Sequence, residues 1–170
     1  MSNGRFILLT TLLVAVQLVL TGLCNISATV TLSLLSAIVF CMPTSWSAPV
    51  SALAAFAIGI AVDLLAEGPI GLNAAALVPV AAVRKSIIGA FIDKEIVERN
   101  YMFSYYRYGY FKIGGSLLLT SIIFFSIFIL LDNAGTRDAL FCIGRILISS
   151  LCSLPFCMAT AGILAPRVRR

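Results

Sequence analysis

The sequence contains no histidine, and this absence removes several kinds of chemistry at once. Ser–His and Cys–His nucleophilic pairs, HExxH zinc sites and histidine proton relays all require the imidazole ring. Charged residues are also scarce, at 11% of the 170 residues, whereas soluble domains contain about 25%. The composition is therefore not that of a soluble globular domain.

Cysteine is present, but in a pattern that argues against disulfides and metal sites. The number of thiols is odd, and no two of them form a CxxC motif. Most of the five lie within apolar runs. They are Cys24, Cys41, Cys142, Cys152 and Cys157. We interpret them as small buried apolar side chains, and we expect no metal ion and no cofactor.

Hydrophobic residues make up 61% of the chain, and the mean hydropathy is +1.07. These values are typical of an integral membrane protein, for which the lipid bilayer is the solvent. The net charge of +5 could indicate nucleic-acid binding. However, the basic residues lie beside the hydrophobic runs, which is the pattern of membrane topology signals. We therefore predict contact with the bilayer and none with nucleic acid.

The hydrophobic runs predict an all-α integral membrane protein, a bundle of six transmembrane helices that forms one domain over residues 1–170. The predicted spans are 6–23, 26–42, 48–65, 70–88, 113–131 and 140–164, with a cytoplasmic loop at 89–112. A hydrocarbon core of about 30 Å requires helices of about this length. The first run could also be a cleaved leader, but the small-residue pattern of a cleavage site is missing. We therefore take the first run as a retained helix.

The lysines and arginines predict that both termini are cytoplasmic. With the N-terminus inside, Arg5, six basic residues between Arg84 and Lys112, and the three C-terminal arginines share the inner side. The outer loops then contain Arg137 as their one basic residue. Because the fourth span is short, we expect Arg84 to extend its side chain toward the interface.

Two patterns fall on the predicted cytoplasmic loop and its borders. Residues 87–97 place apolar side chains on one helical face, which indicates an interfacial amphipathic segment or a solvated continuation of the helix. Residues 101–111 mix tyrosine and phenylalanine with basic residues. Beside a membrane span, this mixture indicates an aromatic belt rather than a nucleic-acid surface.

The stretch LAAFAIGIAVDLLAEGPIGLNAAALVPVAAVRK, residues 53–85, predicts two apolar helices joined by a tight turn. Gly68 and Pro69 break the helix between them. Asp63 lies about one turn before that break, and Asn73 lies just inside the second helix. An ionisable group within a span is costly and points to a functional or packing role. The alternative is that Asp63 is wetted at the interface.

Two ridges of small residues recur at every fourth position. The first ridge consists of Ser51, Ala55, Gly59 and Asp63, and the second ridge consists of Arg145, Ser149, Ser153 and Cys157. Small residues at this spacing let helices approach closely. We therefore predict that the ridges face each other and that Asp63 pairs with Arg145. The alternative is that Arg145 extends to the interface and that the ridges arise by chance.

Two other functions were weighed against the residues. Asp63 with Asp132 or Asp138 could form a carboxylate pair of the aspartic-protease type. The Asn- and Asp-rich motifs of lipoprotein signal peptidases are missing, so we predict no enzymatic activity. Six short spans with Pro79 in the fourth could instead enclose a small-molecule cavity, as in a transporter subunit.

The segment FAIGIAVDLLAEGPIGLNAAAL, residues 56–77, resembles the signature of the rod shape-determining protein MreD family. The matching positions are Gly59, Asp63, Leu64, Gly68, Gly71 and Leu72, and Arg84 after the fourth span also fits. The resemblance is strong over about 30 residues; the remainder agrees in length, layout and basic C-terminus. The helix-packing or partner-binding candidates are Ser51, Ala55, Gly59, Asp63, Gly68, Gly71, Asn73, Arg84, Arg145, Ser149 and Ser153.

The resemblance implies a non-enzymatic, multi-pass component of the bacterial cytoplasmic membrane. Such a protein binds MreC and couples MreB filaments to peptidoglycan synthesis by RodA and its transpeptidase, and so regulates cell shape. The family also resembles the substrate-binding subunits of energy-coupling-factor transporters in fold. A small-molecule, vitamin-type binding subunit of a membrane transporter is therefore the alternative expectation.

Overall fold

The computed structural model describes residues 3–24, 31–66, 69–91, 110–133 and 138–164, and these parts of the chain are α-helical without a β-strand. We number the helices in chain order. They are α1 (Asn3–Cys24), α2 (Leu35–Phe40), α3 (Ala48–Leu65), α4 (Leu72–Phe91), α5 (Tyr110–Asn133) and α6 (Ala139–Leu164). The predicted all-α class is confirmed over these ranges.

Four of the helices, α3 to α6, are long and apolar enough to cross a membrane. They contain 18, 20, 24 and 26 residues. At 1.5 Å per residue, their lengths are about 27 to 39 Å. α1 adds a shorter apolar stretch over Ile7–Gly22. The protein is therefore an α-helical membrane protein.

Most helix bounds lie close to the predicted spans. α3 occupies the predicted range 48–65, and α6 covers the predicted range 140–164. α4 continues beyond position 88 to Phe91, and α5 extends beyond both ends of 113–131. Gly68, the amphipathic residues after Phe91 and the aromatic region up to 109 lie outside the described residues.

The prediction of one continuous helix for the second span is wrong over the described residues 31–42. Helix α2 contains only six residues, a length of roughly 9 Å, and cannot cross a membrane alone. Residues 31–34 before it are non-helical, and turns occupy 41–46 after it. Pro43 contributes to the break because it lacks an N–H group and disfavours helical backbone in the residue before it.

The short helix α2 lies at the centre of the bundle. It contacts each of the other five helices of the described chain, and all six of its side chains are buried. Around it, α3 packs along α4, α4 along α5, and α5 along α6. Phe124, Phe125 and Ile129 of α5 add large side chains to the same core. The two ends of α2 therefore contact side chains of the surrounding helices rather than lipid or water.

The first ridge of small residues packs against α4. Ser51, Ala55, Gly59 and Asp63 are all buried, and α3 makes its most extensive contact with α4. A Cβ atom added to Gly59 would stand 2.4 Å from the Cα atom of Ala74. The prediction that this ridge faces the second ridge on α6 is therefore wrong. The chain instead uses the ridge to close the hairpin between two consecutive helices.

The close approach at Gly59 predicts a large effect of one methyl group. Gly59→Ala forces the backbones of α3 and α4 apart, and we expect a loss of about 1–3 kcal/mol in unfolding free energy. Thermal unfolding of the purified protein in detergent measures this loss. Gly144→Ala is the matched control, because nothing lies within 4 Å of the added Cβ. Equal unfolding temperatures for the two variants would contradict the packing role of Gly59.

Candidate functional site

Asp63, the acidic residue at the end of the first ridge, is bound by the start of α4. Its Oδ2 atom accepts a hydrogen bond from the backbone N–H of Gly71 at 2.9 Å. Both carboxylate oxygens lie 3.2 Å from the backbone nitrogen of Asn73, and the Asn73 side-chain Nδ2 donates to Oδ1 at 2.7 Å. The side chain is only 2% exposed, so Asp63 is buried rather than wetted at an interface.

The local sequence explains this arrangement. The first N–H groups of a helix have no partner within the helix and carry a partial positive charge, so a carboxylate is stabilised there. Gly71 precedes α4 with a φ angle of 93°, a left-handed conformation that favours glycine. This turn directs the N–H groups of Gly71 and Asn73 back toward α3. Asp63 is therefore a cap on the start of α4, and its bonds to Gly71 and Asn73 join α3 to α4.

Arg145, the basic residue of the second ridge, pairs with Asp132 instead of Asp63. Its Nη1 atom lies 2.9 Å from the Asp132 Oδ2 atom. The predicted pair of Asp63 and Arg145 is therefore wrong, because each side chain has a nearer partner on a neighbouring helix. The two carboxylates, Asp63 and Asp132, consequently belong to separate groups of contacts.

The serines of the second ridge bind the non-helical segment before α2. The Ser149 hydroxyl oxygen accepts a hydrogen bond from the Thr31 backbone N–H at 3.2 Å. Four residues later on α6, the Ser153 oxygen accepts from the Ser33 backbone N–H, also at 3.2 Å. Cys157 continues the series by donating to the Ser33 carbonyl oxygen at 3.6 Å. The second ridge thus supplies partners for backbone groups that would otherwise lack them.

Gln17 of α1 bonds the same segment from the other side. Its Oε1 atom accepts from the Leu34 backbone N–H at 2.6 Å, and its Nε2 atom donates to the Leu32 carbonyl at 3.2 Å. Nε2 also donates to the Thr21 hydroxyl at 3.1 Å. Our sequence analysis missed this residue. The signal was available, because Gln17 is the one side-chain amide in the first hydrophobic run.

Arg84 of α4 binds the other end of α2. Its Nη1 atom donates to the Met42 carbonyl at 2.7 Å and to the Val39 carbonyl at 3.4 Å, and its Nη2 atom donates to the Pro43 carbonyl at 2.7 Å. The side chain has no exposed surface, so the expectation that Arg84 extends to the interface is wrong. The guanidinium stays inside because the last carbonyls of a helix and its following turn need donors and favour positive charge.

A third polar contact holds the first turn of α2 against α5 and α6. The Ser36 hydroxyl oxygen lies 3.2 Å from that of Ser121 and 3.7 Å from the Cys157 sulfur. All three side chains are buried. Buried hydroxyl and thiol groups that bond one another avoid the cost of unpaired polar atoms. The segment before α2, the first turn of α2 and its end are therefore each bound by side chains of other helices.

A small cavity of about 70 Å³, with mostly apolar walls and a few polar side chains, adjoins the non-helical segment. Its walls combine amide and hydroxyl side chains with three aromatic rings. The lining residues include Gln17, Thr21, Thr31, Asn73, Phe124, Phe125 and Phe128. The described residues contain no group of three or more histidine, cysteine, aspartate or glutamate side chains that could hold a metal ion.

Compared with models of protein families, with characterised proteins and with solved structures, the chain shows no match. Its own geometry defines it as an α-helical membrane protein with a short, fully buried central helix. The predicted site residues fall into three groups: the hairpin of α3 and α4, the anchor of α2 at Arg84, and the seam between α6 and residues 31–34. Arg145 joins none of these, and Gly68 lies outside the described residues.

The Asp63 cap can be tested by removing its charge without changing its shape. Asp63→Asn replaces one acceptor oxygen with an NH₂ group that faces N–H donors, and we expect a loss of about 1–3 kcal/mol in unfolding free energy. Thermal unfolding in detergent is the measurement. Asp132→Asn is the control, because an exposed ion pair contributes about 1 kcal/mol or less. A larger loss for Asp132→Asn than for Asp63→Asn would refute the cap.

The Arg84 anchor depends on two amino groups that reach separate carbonyls. Lysine carries its three N–H donors on one nitrogen and lacks the planar fork whose two nitrogens reach separate carbonyls, so we expect Arg84→Lys to lose about 2 kcal/mol or more. The matched control is Lys85→Arg, the reverse exchange at the next position, which we expect to change stability by about 0.5 kcal/mol or less. Unfolding midpoints of the two variants decide the question, and similar midpoints contradict the anchor.

Proposed function

We propose that the chain is a non-enzymatic membrane scaffold of the bacterial elongation machinery. In this role it resides in the cytoplasmic membrane, binds an MreC-type protein, and links MreB filaments to peptidoglycan synthesis by RodA and its transpeptidase. Cell shape is then regulated through these contacts. The proposal rests on the resemblance of residues 56–77 to the MreD family, and the arrangement of those residues supports it.

The observation that carries the proposal is the use made of the signature residues. Gly59 closes the contact of α3 with α4, and Asp63 caps α4 through Gly71. Arg84 then anchors α2 from the far part of the same helix. The polar groups of Asp63 and Arg84 thus bond to backbone groups of the protein itself. The signature residues therefore stabilise the arrangement of the helices. A scaffold needs such a stable arrangement to present its helix surfaces to other membrane proteins.

The proposed topology has six membrane crossings with both termini cytoplasmic. The second crossing consists of residues 31–34, α2 and the following turns rather than of one continuous helix. Its direction is supported by the order of its contacts, since Thr31 bonds Ser149 and Ser33 bonds Ser153. Residues 31–36 therefore run parallel to α6. The distribution of basic residues supports the same orientation.

The second candidate function is a small-molecule, vitamin-type binding subunit of a membrane transporter. The non-helical segment beside a cavity favours this candidate, because broken helices in transporters form binding sites near the membrane centre. The size of the cavity favours the scaffold. It encloses about 70 Å³, whereas pockets for drug-sized ligands measure about 300–1,000 Å³.

Co-purification in mild detergent, followed by mass spectrometry of proteins and bound small molecules, distinguishes the two candidates. We expect a single-span, coiled-coil protein of the MreC type to copurify with the tagged chain. Asp63→Ala should lower the recovery of this partner severalfold because the α3–α4 hairpin loses its cap. Asp132→Ala is the control and should retain the partner. Recovery of an ATPase pair or of a stoichiometric vitamin would overturn the scaffold proposal.

A further inference from the structure

Asp63 has an unusual electrostatic position. It is nearly fully buried, and no lysine or arginine pairs with it within the described residues. Its three hydrogen-bond donors are neutral N–H groups of Gly71 and Asn73. Neutral donors and the start of α4 offset part of a negative charge, but a buried charge without an opposite charge remains costly. The surroundings of Asp63 therefore favour a cation.

The small cavity lies one side chain away from this carboxylate, which does not itself line it. Asn73 links the two, since it lines the cavity and donates its side-chain Nδ2 to Asp63. Because Nδ2 points to the carboxylate, the amide oxygen of Asn73 points away from it. No described residue donates a hydrogen bond to that oxygen. An acceptor is thus left over at the cavity wall, one side chain away from a negative charge that neutral donors offset only in part.

The remaining walls indicate which cation would fit. Phe124, Phe125 and Phe128 line the cavity, and the ring centroid of Phe124 lies 5.3 Å from that of Phe125 and 5.7 Å from that of Phe128. Aromatic rings attract ammonium groups, which can also donate N–H bonds to hydroxyl and amide oxygens. Thr21 and Thr31 supply such oxygens in the same wall. A metal ion would instead need a shell of several oxygen ligands that phenylalanine cannot provide.

We propose that this cavity is a binding site for a small ammonium-type cation, either the ammonium ion or a short primary alkylammonium ion. The ion donates N–H bonds to Asn73 Oδ1 and to the threonine hydroxyls, and its charge is offset by Asp63 and the phenylalanine rings. A volume of about 70 Å³ accommodates a few water molecules or one such ion. The site is independent of the proposed scaffold role, because it uses neither a protein partner nor the outer surface.

Thermal unfolding of the purified full chain in mild detergent tests the proposal. The probes are the chlorides of ammonium, methylammonium, sodium, potassium and tetramethylammonium at equal ionic strength. We expect ammonium or methylammonium to raise the unfolding temperature in a saturable manner, by about 5 °C at roughly hundredfold excess over Kd. Tetramethylammonium has no N–H donor and exceeds the cavity, so it should give no specific shift.

Phe128→Leu removes one ring of the wall, and we expect it to reduce the ammonium-dependent shift to less than half. Phe156→Leu is the matched control, because this ring is 42% exposed on α6 and does not line the cavity. Thr21→Val gives a second test of the site should Phe128→Leu fail to fold. Equal shifts for all five salts, no shift for any, or a full shift in both cavity variants would overturn the proposal.

Discussion

Backbone N–H and C=O groups that lie outside a helix within a membrane protein need hydrogen-bond partners from the protein, because lipid offers none. In this chain the constraint falls on residues 31–34 and on the turn that follows α2. Gln17 and the serines of α6 satisfy the first segment, and Arg84 satisfies the second. Since these side chains come from α1, α6 and α4, three helices are joined to α2 by polar bonds as well as by packing.

Helix α4 connects this central arrangement to the hairpin with α3. Its start is capped by Asp63, it packs along α5, and its Arg84 side chain anchors α2. The absence of a side chain at Gly59 sets the distance between α3 and α4. Asp63 and Arg84, two ionisable side chains of this unit, are both buried, and both contact backbone groups rather than each other. Each charge therefore acts at one helix end.

A scaffold role and the small interior cavity can exist together in one such helical bundle. The bonds around α2 hold the interior in one arrangement, while exposed apolar side chains such as Leu53, Phe56 and Leu151 cover the outside of the helices. The interior cavity is bounded by the same Gln17 and Asn73 that hold the framework. The same hydrogen bonds therefore fix both the arrangement of the outer helix surfaces and the walls of the inner cavity.

Composition and hydrophobic runs determined the class of this protein and the course of α3 to α6, because burial in lipid imposes length and apolarity on each long helix. They also made Asp63 stand out as an acidic residue within an apolar run. Residues 26–42 are as apolar as a spanning helix, so hydropathy could not reveal that α2 has only six residues. That outcome, like the partners of Asp63, Arg84 and Arg145, was decided by the tertiary structure. Hydrogen bonds join groups far apart in the chain, and a pattern along the sequence does not specify which groups meet.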